Sequence, residues 1–181
     1  MWYYTFKGHL IDLTRSPGTW TLDADDISNA LSKICRWGGQ LGEFYSVAQH
    51  SVLMCREAEG LDLKRACLLH DATEAYLGDV ISPIKQAMLA SGASFYKDLE
   101  DRLHRALEDR YGLKNSALTC SEVQHLDRRM LHTEAREITG YPGRDAKWLL
   151  WLPPPFDMRI VPWDHARARR EFCEAWQEVG L

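Results

Sequence analysis

Apolar and polar positions alternate at the start of the chain and then change period. Trp2, Tyr4 and Phe6 alternate with Tyr3 and Thr5, Lys7-Gly8 offers a turn, and His9-Leu10-Ile11-Asp12-Leu13 follows. A period of two on both sides of a glycine turn predicts a short β-hairpin. Arg15-Ser16-Pro17-Gly18 is a loop. Beyond residue 22 the period becomes helical. Asp25 can start a helix whose Ile27, Ala30, Leu31 and Ile34 face one way, with Arg36-Trp37 at its end and Gly38-Gly39 stopping it. Ser46 can cap a second helix, ending at Gly60, on which Val47, Met54 and Ala58 form a stripe. Asp62 can cap a third, which stops near Gly78. A fourth runs from Ser94 to Tyr111, with Phe95, Leu99, Leu103 and Leu107 inward and Gly112 past its end. Thr119-x-x-Glu122 is a capping-box pattern for a fifth, whose stripe is Val123, Leu126, Met130, Leu131 and Ile138. A Pro-rich loop follows, from Tyr141 through Pro153-Pro154-Pro155. Asp164 can cap a last helix, with Phe172, Ala175, Trp176 and Val179 buried.

The candidate chemistry lies on these apolar faces. The third segment carries His70-Asp71 and, three to four residues on, Glu74; a helix would put all three on one face. A neutral nitrogen beside a hard anionic oxygen suits a divalent metal of borderline hardness. Two further ligands are available. His50 lies on or beside the stripe of the second helix, and Asp127 falls on that of the fifth. A carboxylate on a buried face is unfavourable unless it is paired or bound to a metal. Taken alone, the His-Asp pair reads better as a satisfied core histidine than as a ligand pair. Glu74 reads as a solvated carboxylate or as a general acid/base, and Arg36 as a cation offsetting a helix dipole or as a bidentate phosphate ligand. Trp37 reads as a core aromatic, Lys85 as a surface lysine or a phosphate-binding charge, and Asp79 as a turn residue beside Gly78.

The ordered set His50 … His70-Asp71 … Asp127 resembles the H…HD…D signature of the HD-domain metal-dependent phosphohydrolases. Ile34-Cys35-Arg36-Trp37, Ser46-Val47-Ala48-Gln49-His50-Ser51, His70-Asp71-Ala72-Thr73-Glu74, and Gly78-Asp79 followed by Pro83-Ile84-Lys85 are similar to the bacterial deoxyribonucleoside 5'-monophosphatases of that superfamily. They also resemble compact phage hydrolases of deoxynucleotides, including dATP triphosphohydrolases. The likeness spans roughly residues 25 to 140 and leaves both ends uncovered. It implies an all-α HD-type helical bundle with a small N-terminal β-hairpin, and a divalent ion held by His50, His70, Asp71 and Asp127. It further implies Glu74 in proton transfer, Asp79 at the sugar 3'-hydroxyl or a water network, Arg36 and Lys85 on phosphate, and Trp37 against a ribose 2'-hydroxyl. Zinc, cobalt, manganese, magnesium and iron all suit such ligands. The remaining His and Asp are too few at suitable spacing for two tightly held metals; a second, loosely held ion on the phosphates is compatible. Gln124 departs from relatives that carry a lysine three residues before the ligating aspartate.

The expected activity is removal of phosphate from deoxynucleotides, with a dATP-preferring triphosphohydrolase as the leading expectation. A deoxyribonucleoside 5'-monophosphatase is the alternative, and a silent nucleotide-binding sensor the reading of another class. Composition narrows the partners. A length of 181 residues fits one domain over 1–181, and a net charge of −4 gives no nucleic-acid-binding field. No apolar run approaches a membrane span, and the N-terminus lacks the features of a signal peptide. Five cysteines, at 35, 55, 67, 120 and 173, with no Cys-x-x-Cys, suggest reduced thiols in a cytoplasm, the host's if phage-encoded. The N-terminal aromatics and the Pro-rich loop are candidates for a subunit interface of a homo-oligomer or for cover over the core.

Overall fold

The computed structural model describes residues 1–139 and 147–181. The architecture is all-α with a small β-hairpin at the N-terminus. Strands β1 (Trp2–Tyr4) and β2 (Leu10–Asp12) pair antiparallel, Tyr3 opposite Ile11. Ile11 is fully buried and Tyr3 packs on the core, whereas Trp2, Tyr4 and Phe6 are exposed. The alternation thus works as period two requires, and those three aromatics do not cover the core.

Helix α1 covers Ala24–Leu31. Its cap is Asp23, whose carboxylate accepts from the N–H groups of Asp25 and Asp26. The expected cap, Asp25, sits in the first turn. The helix also ends well before Gly38. Cys35 and Ser46 form an isolated β-bridge, Arg36 N–H donates to Tyr45 O at 2.9 Å, and Val47 N–H to Ile34 O at 3.0 Å. This stitching holds residues 34–36 extended and stops the helix despite its periodicity.

Helix α2 (Val47–Glu57) is the centre of the molecule. Ser46 caps it as expected, accepting from Gln49 N–H at 3.1 Å. Every residue from Val47 to Cys55 is buried, the pattern of a helix surrounded on all sides. Around it pack α1, α3 (Leu61–Leu69), α7 (Ser121–Glu137) and α8 (His165–Glu178). Asp62 lies in the first turn of α3; the cap position is Gly60, at φ 83°, where other residues would be strained.

The third helix is shorter than its pattern suggests. It stops at Leu69, turns occupy 70–73, and a short α4 (Glu74–Leu77) resumes and packs on α1. Ala72, Glu74 and Tyr76 donate to carbonyls three residues back, not four, which tightens the winding in the manner of a 3-10 turn. α5 (Ser82–Ala90) was not expected. It carries Ile84, Ala87 and Met88 at helical spacing, but it buries no residue. α6 (Phe95–Tyr111) buries Leu99, Leu103 and Leu107, but Phe95 is exposed. At its end Gly112 turns left-handed, and both Gly112 and Leu113 donate to Glu108 O, a Schellman closure.

The expected capping box of α7 is not formed. Thr119 belongs to a 3-10 turn, Ala117–Thr119, and the cap position falls on Cys120, which makes no side-chain cap bond. Residues 141–146 of the expected Pro-rich loop lie outside the described residues. Lys147–Trp151 is a 3-10 turn, and an irregular segment then runs to Asp164. Arg136 donates to Phe156 O and Met158 O, and Gln49 exchanges bonds with Val161 O and Trp163 N–H. Asp164 caps α8 as expected, and Phe172, Ala175, Trp176 and Val179 are buried. All five cysteines are free. Among the described residues no helix is long and apolar enough to cross a membrane.

Candidate metal centre

Four segments converge on one point. His50 comes from the middle of α2, His70 from the C-terminal end of α3, Asp71 from the turn after it, and Asp127 from α7. One ligand atom from each of His50, His70 and Asp127 lies within 4.8 Å of the others. His50 Nε2 is 3.3 Å from His70 Nε2 and 3.2 Å from Asp127 Oδ1. Asp71 Oδ2 is 3.1 Å from His70 Nε2 and 3.7 Å from His50 Nε2. Metal–ligand bonds of about 2.0–2.2 Å, at right-angled to tetrahedral geometry, place neighbouring donors roughly 2.8–3.6 Å apart. The buried group His50, His70 and Asp127 can therefore hold a metal ion.

The orientation of the rings supports that fit. His70 Nδ1 donates to Cys67 O at 2.7 Å, and His50 Nδ1 to Glu134 Oε1 at 2.6 Å. With both Nδ1 atoms hydrogen-bonded, the two Nε2 atoms are turned toward each other, where a cation can take both. His70 also shows why α3 ends where it does: its ring takes a carbonyl near the helix terminus, and its own carbonyl is met by His104 Nε2 at 3.1 Å. The three residues His70, Asp71 and Glu74 do not share one face of a continuous helix, because the turn at 70–73 intervenes.

Arg36 reaches over this cluster. It lies in a 3-10 turn, Arg36–Gly39, downstream of the bridge at Cys35, not at the end of α1. One terminal nitrogen is 3.2 Å from Asp71 Oδ2; the other is 3.4 Å from Glu134 Oε2 and 4.0 Å from Asp127 Oδ1. Its Nε is buried without a partner. Trp37 has φ 59°, uncommon for a bulky residue, and its indole N–H donates to Glu134 Oε2 at 3.0 Å. Glu74 is 5% exposed and its Oε2 is buried without a partner. Lys85, on α5, pairs with Glu100 at 2.7 Å.

Two curated proteins are similar to this chain. The uncharacterized protein YfdR of Escherichia coli K12 is 32% identical over 156 residues, 86% of this chain and 83% of its own length. The uncharacterized protein RCAP_rcc00048 of Rhodobacter capsulatus is 33% identical over 168 residues, 87% of this chain and 83% of its own. The chain belongs to the family of these proteins. No established family model matches it.

In this member of the YfdR family the charges of the cluster act on one another. Burial pushes Asp71 and Asp127 up, but the neighbouring histidines and Arg36 outweigh it and hold both carboxylates below the usual range. Burial and Arg36 push the His50 ring down; Glu134 and Asp127 prevail and raise it to about 9. Glu74 behaves oppositely. Burial, with Asp71 and Asp79 adding to it, lifts its pKa well above the usual carboxylate value. Asp79 is also raised, chiefly by burial.

Reasoning on sequence missed Glu134, Tyr45 and His104. Glu134 is fully buried and receives His50, Tyr45, Trp37 and Arg36. Its one signal was its place seven residues after Asp127, two turns along the same face of α7. Among the described residues, the other basic side chains around Asp127 on α7 point elsewhere. Arg128 donates to Trp151 O, Arg129 to Pro154 O, and His132 to Pro153 O. Gln124 is exposed and donates to Thr119 O.

Proposed function

We propose that this protein is a divalent-metal-dependent phosphohydrolase of the HD type acting on deoxynucleotides, with deoxynucleoside triphosphates, dATP foremost, as substrates. The observation that carries the reading is the convergence of His50, His70 and Asp127, with Asp71 as fourth donor, beside a buried carboxylate that has a free oxygen. A divalent ion bound there supplies Lewis acidity toward a phosphoryl oxygen and toward water. Glu74 holds and moves the proton at its Oε2, and its raised pKa brings it nearer to working pH than an ordinary carboxylate. Arg36 balances the carboxylates of the cluster and offers its charge to the phosphate. Asp79 takes the sugar 3'-hydroxyl or its water network, and Trp37 walls the 2' position. Zinc, cobalt, manganese, magnesium and iron remain candidates, since two nitrogens and two oxygens suit each.

A second reading, a deoxyribonucleoside 5'-monophosphatase, is favoured by a specific observation. A triphosphate needs more cations than a monophosphate, and Lys85, Arg128 and Arg129 are all engaged by protein partners. A catalytically silent nucleotide sensor would have no need of a buried, unpartnered Glu74. The test is incubation of metal-loaded protein with all dNTPs, dNMPs and rNTPs, followed by chromatography of the products. Nucleoside plus tripolyphosphate from dATP supports the first reading. Phosphate from dAMP with every dNTP intact replaces it with the second, and no product from any nucleotide overturns both.

A further inference from the structure

Glu134 makes more of its two oxygens than charge balance requires. Oε1 accepts from His50 Nδ1 at 2.6 Å and from Tyr45 Oη at 3.0 Å. Oε2 accepts from Trp37 Nε1 at 3.0 Å and from an Arg36 nitrogen at 3.4 Å. One oxygen thus serves α2 and the other serves the Arg36–Trp37 turn, and the side chain is fully buried, so water cannot replace either set. A carboxylate that moves to suit one side loses geometry on the other. The turn is itself constrained, with Trp37 at φ 59°, and the indole N–H bond to Glu134 ties its side chain down.

We propose that Glu134 is a positioning residue that couples the cation-facing nitrogen of His50 to the Arg36–Trp37 turn, so that changes in the turn alter metal affinity. It rests on the metal-holding part of the function proposed above and not on the substrate. The chemistry is that of a carboxylate–histidine pair. By holding the Nδ1 proton, Glu134 sets the ring orientation and makes Nε2 more basic. The side-chain bond of Trp37 into the cluster goes to Glu134; the other route, through the adjacent Arg36 to Asp71 and Asp127, is what the double variant separates from it.

The experiment measures zinc affinity by competition with a chromophoric chelator, and the visible spectrum of the cobalt form, for wild type, Glu134→Gln, Trp37→Phe and the double variant. Glu134→Gln is expected to weaken zinc binding about 10–100-fold and to change the cobalt spectrum. Trp37→Phe is expected to weaken it several-fold, and the double variant to lose less than the product of the two. Wild-type affinity in Glu134→Gln, or multiplying losses in the double variant, overturns the proposal. Should Glu134→Gln fail to fold by circular dichroism, Trp37→Phe decides alone, because it keeps the carboxylate; unchanged affinity there overturns the coupling. A protein that shows this pattern with zinc yet hydrolyses no deoxynucleotide overturns the proposed function and leaves the coupling standing.

Discussion

The two sides of the metal centre are built on opposite principles. On one side, α2, α7 and the Arg36–Trp37 turn meet at Glu134, whose two buried oxygens take His50, Tyr45, Trp37 and Arg36. Among the described residues, this leaves Arg36 Nε and Ser51 Oγ as the buried atoms without a partner there. On the other, the turn after α3, α4 and α6 carry buried groups that lack partners: Glu74 Oε2 and His104 Nδ1. Buried polar atoms are as a rule hydrogen-bonded, and unpartnered ones are disfavoured by about 1–3 kcal/mol each. The first side therefore holds the ligands in place, and the second keeps atoms free at some expense in stability. That division matches what catalysis asks of a site: fixed ligands, and a proton-carrying group left unsatisfied until substrate arrives.

The largest expected effect tests the open side. Glu74→Gln is expected to keep the metal and to lower turnover on the preferred deoxynucleotide about 10²–10⁴-fold, the usual contribution of a general acid/base. Turnover kinetics beside metal content decide the matter. Near-normal rates at full metal occupancy would make the free oxygen of Glu74 a packing defect and dissolve the contrast.

The closed side is tested by stability. Arg36→Ala leaves Asp71, Asp127 and Glu134 without their shared cation. Removing one partner of a buried charged set costs about 3–5 kcal/mol, which for a chain of this size lowers Tm by on the order of ten degrees. Thermal unfolding with chelator present measures it. A shift of a degree or two would mean that the network is far less interdependent than its distances indicate.

The pH dependence of stability should have opposite signs for the lowered carboxylates and for Glu74. Asp71, Asp127 and Glu134 are held below their ordinary values by His50, Arg36 and, for the two aspartates, His70 as well, against burial. Their contribution is present above the unfolded values and is lost as pH falls through the folded ones. His50, raised to about 9, contributes fully below its ordinary value and loses that contribution as pH rises toward 9. Glu74 is raised by burial, with Asp71 and Asp79 adding to it, so its penalty is absent below its unfolded value and grows as pH rises above it. In metal-free protein, Glu74→Gln should thus gain on wild type as pH increases from about 4.5. Melting curves from pH 4 to 8 report the difference; a constant offset would show that Glu74 has the same pKa folded and unfolded, against the rise that its burial implies.

The same contrast explains what was legible beforehand. The hairpin, the caps at Ser46 and Asp164 and the four proposed ligands stand out because each is a local signal: alternation, a capping side chain before an apolar run, or a polar residue on an apolar face. What was hidden depends on distant partners. The end of α1 is dictated by pairing of residues 34–36 with 45–47, and three neighbouring acids, Asp23, Asp25 and Asp26, make the cap ambiguous. The break after Leu69 has no glycine or proline to announce it; it follows from His70 bonding Cys67 O and from His104 meeting His70 O. α5 carries Ile84, Ala87 and Met88 at helical spacing, but it is only nine residues long behind Pro83 and reads as readily as the continuation of a turn. Glu134 sits in a run, Leu131-His132-Thr133-Glu134-Ala135-Arg136-Glu137, that reads as an ordinary helix, and only the folded arrangement brings four donors to it.

The smallest expected effect concerns Lys85, at the outer edge of the open side. Its ion pair with Glu100 is partly exposed, the lysine side chain by 29%, so solvent screens it and its loss should cost no more than about 1 kcal/mol. Arg36→Ala and Lys85→Ala therefore remove one cation each from the same neighbourhood with very different consequences for folding. Activity should separate them the other way. Lys85 is close enough to Glu74 and Asp79 for its charge to oppose the rise in both of their pKa values, and the proposed function puts the phosphate chain of the substrate on that side. If Lys85 exchanges Glu100 for a terminal phosphate, Lys85→Ala should reduce dATP hydrolysis about tenfold more than dAMP hydrolysis, a difference of about 1.4 kcal/mol. Glu100→Gln, which frees the lysine without removing it, should instead leave dATP hydrolysis intact or improve it. Equal losses on both nucleotides in Lys85→Ala would assign the lysine to holding α5 against α6, and Arg36 with bound divalent ions would then be the proposed cations for a triphosphate.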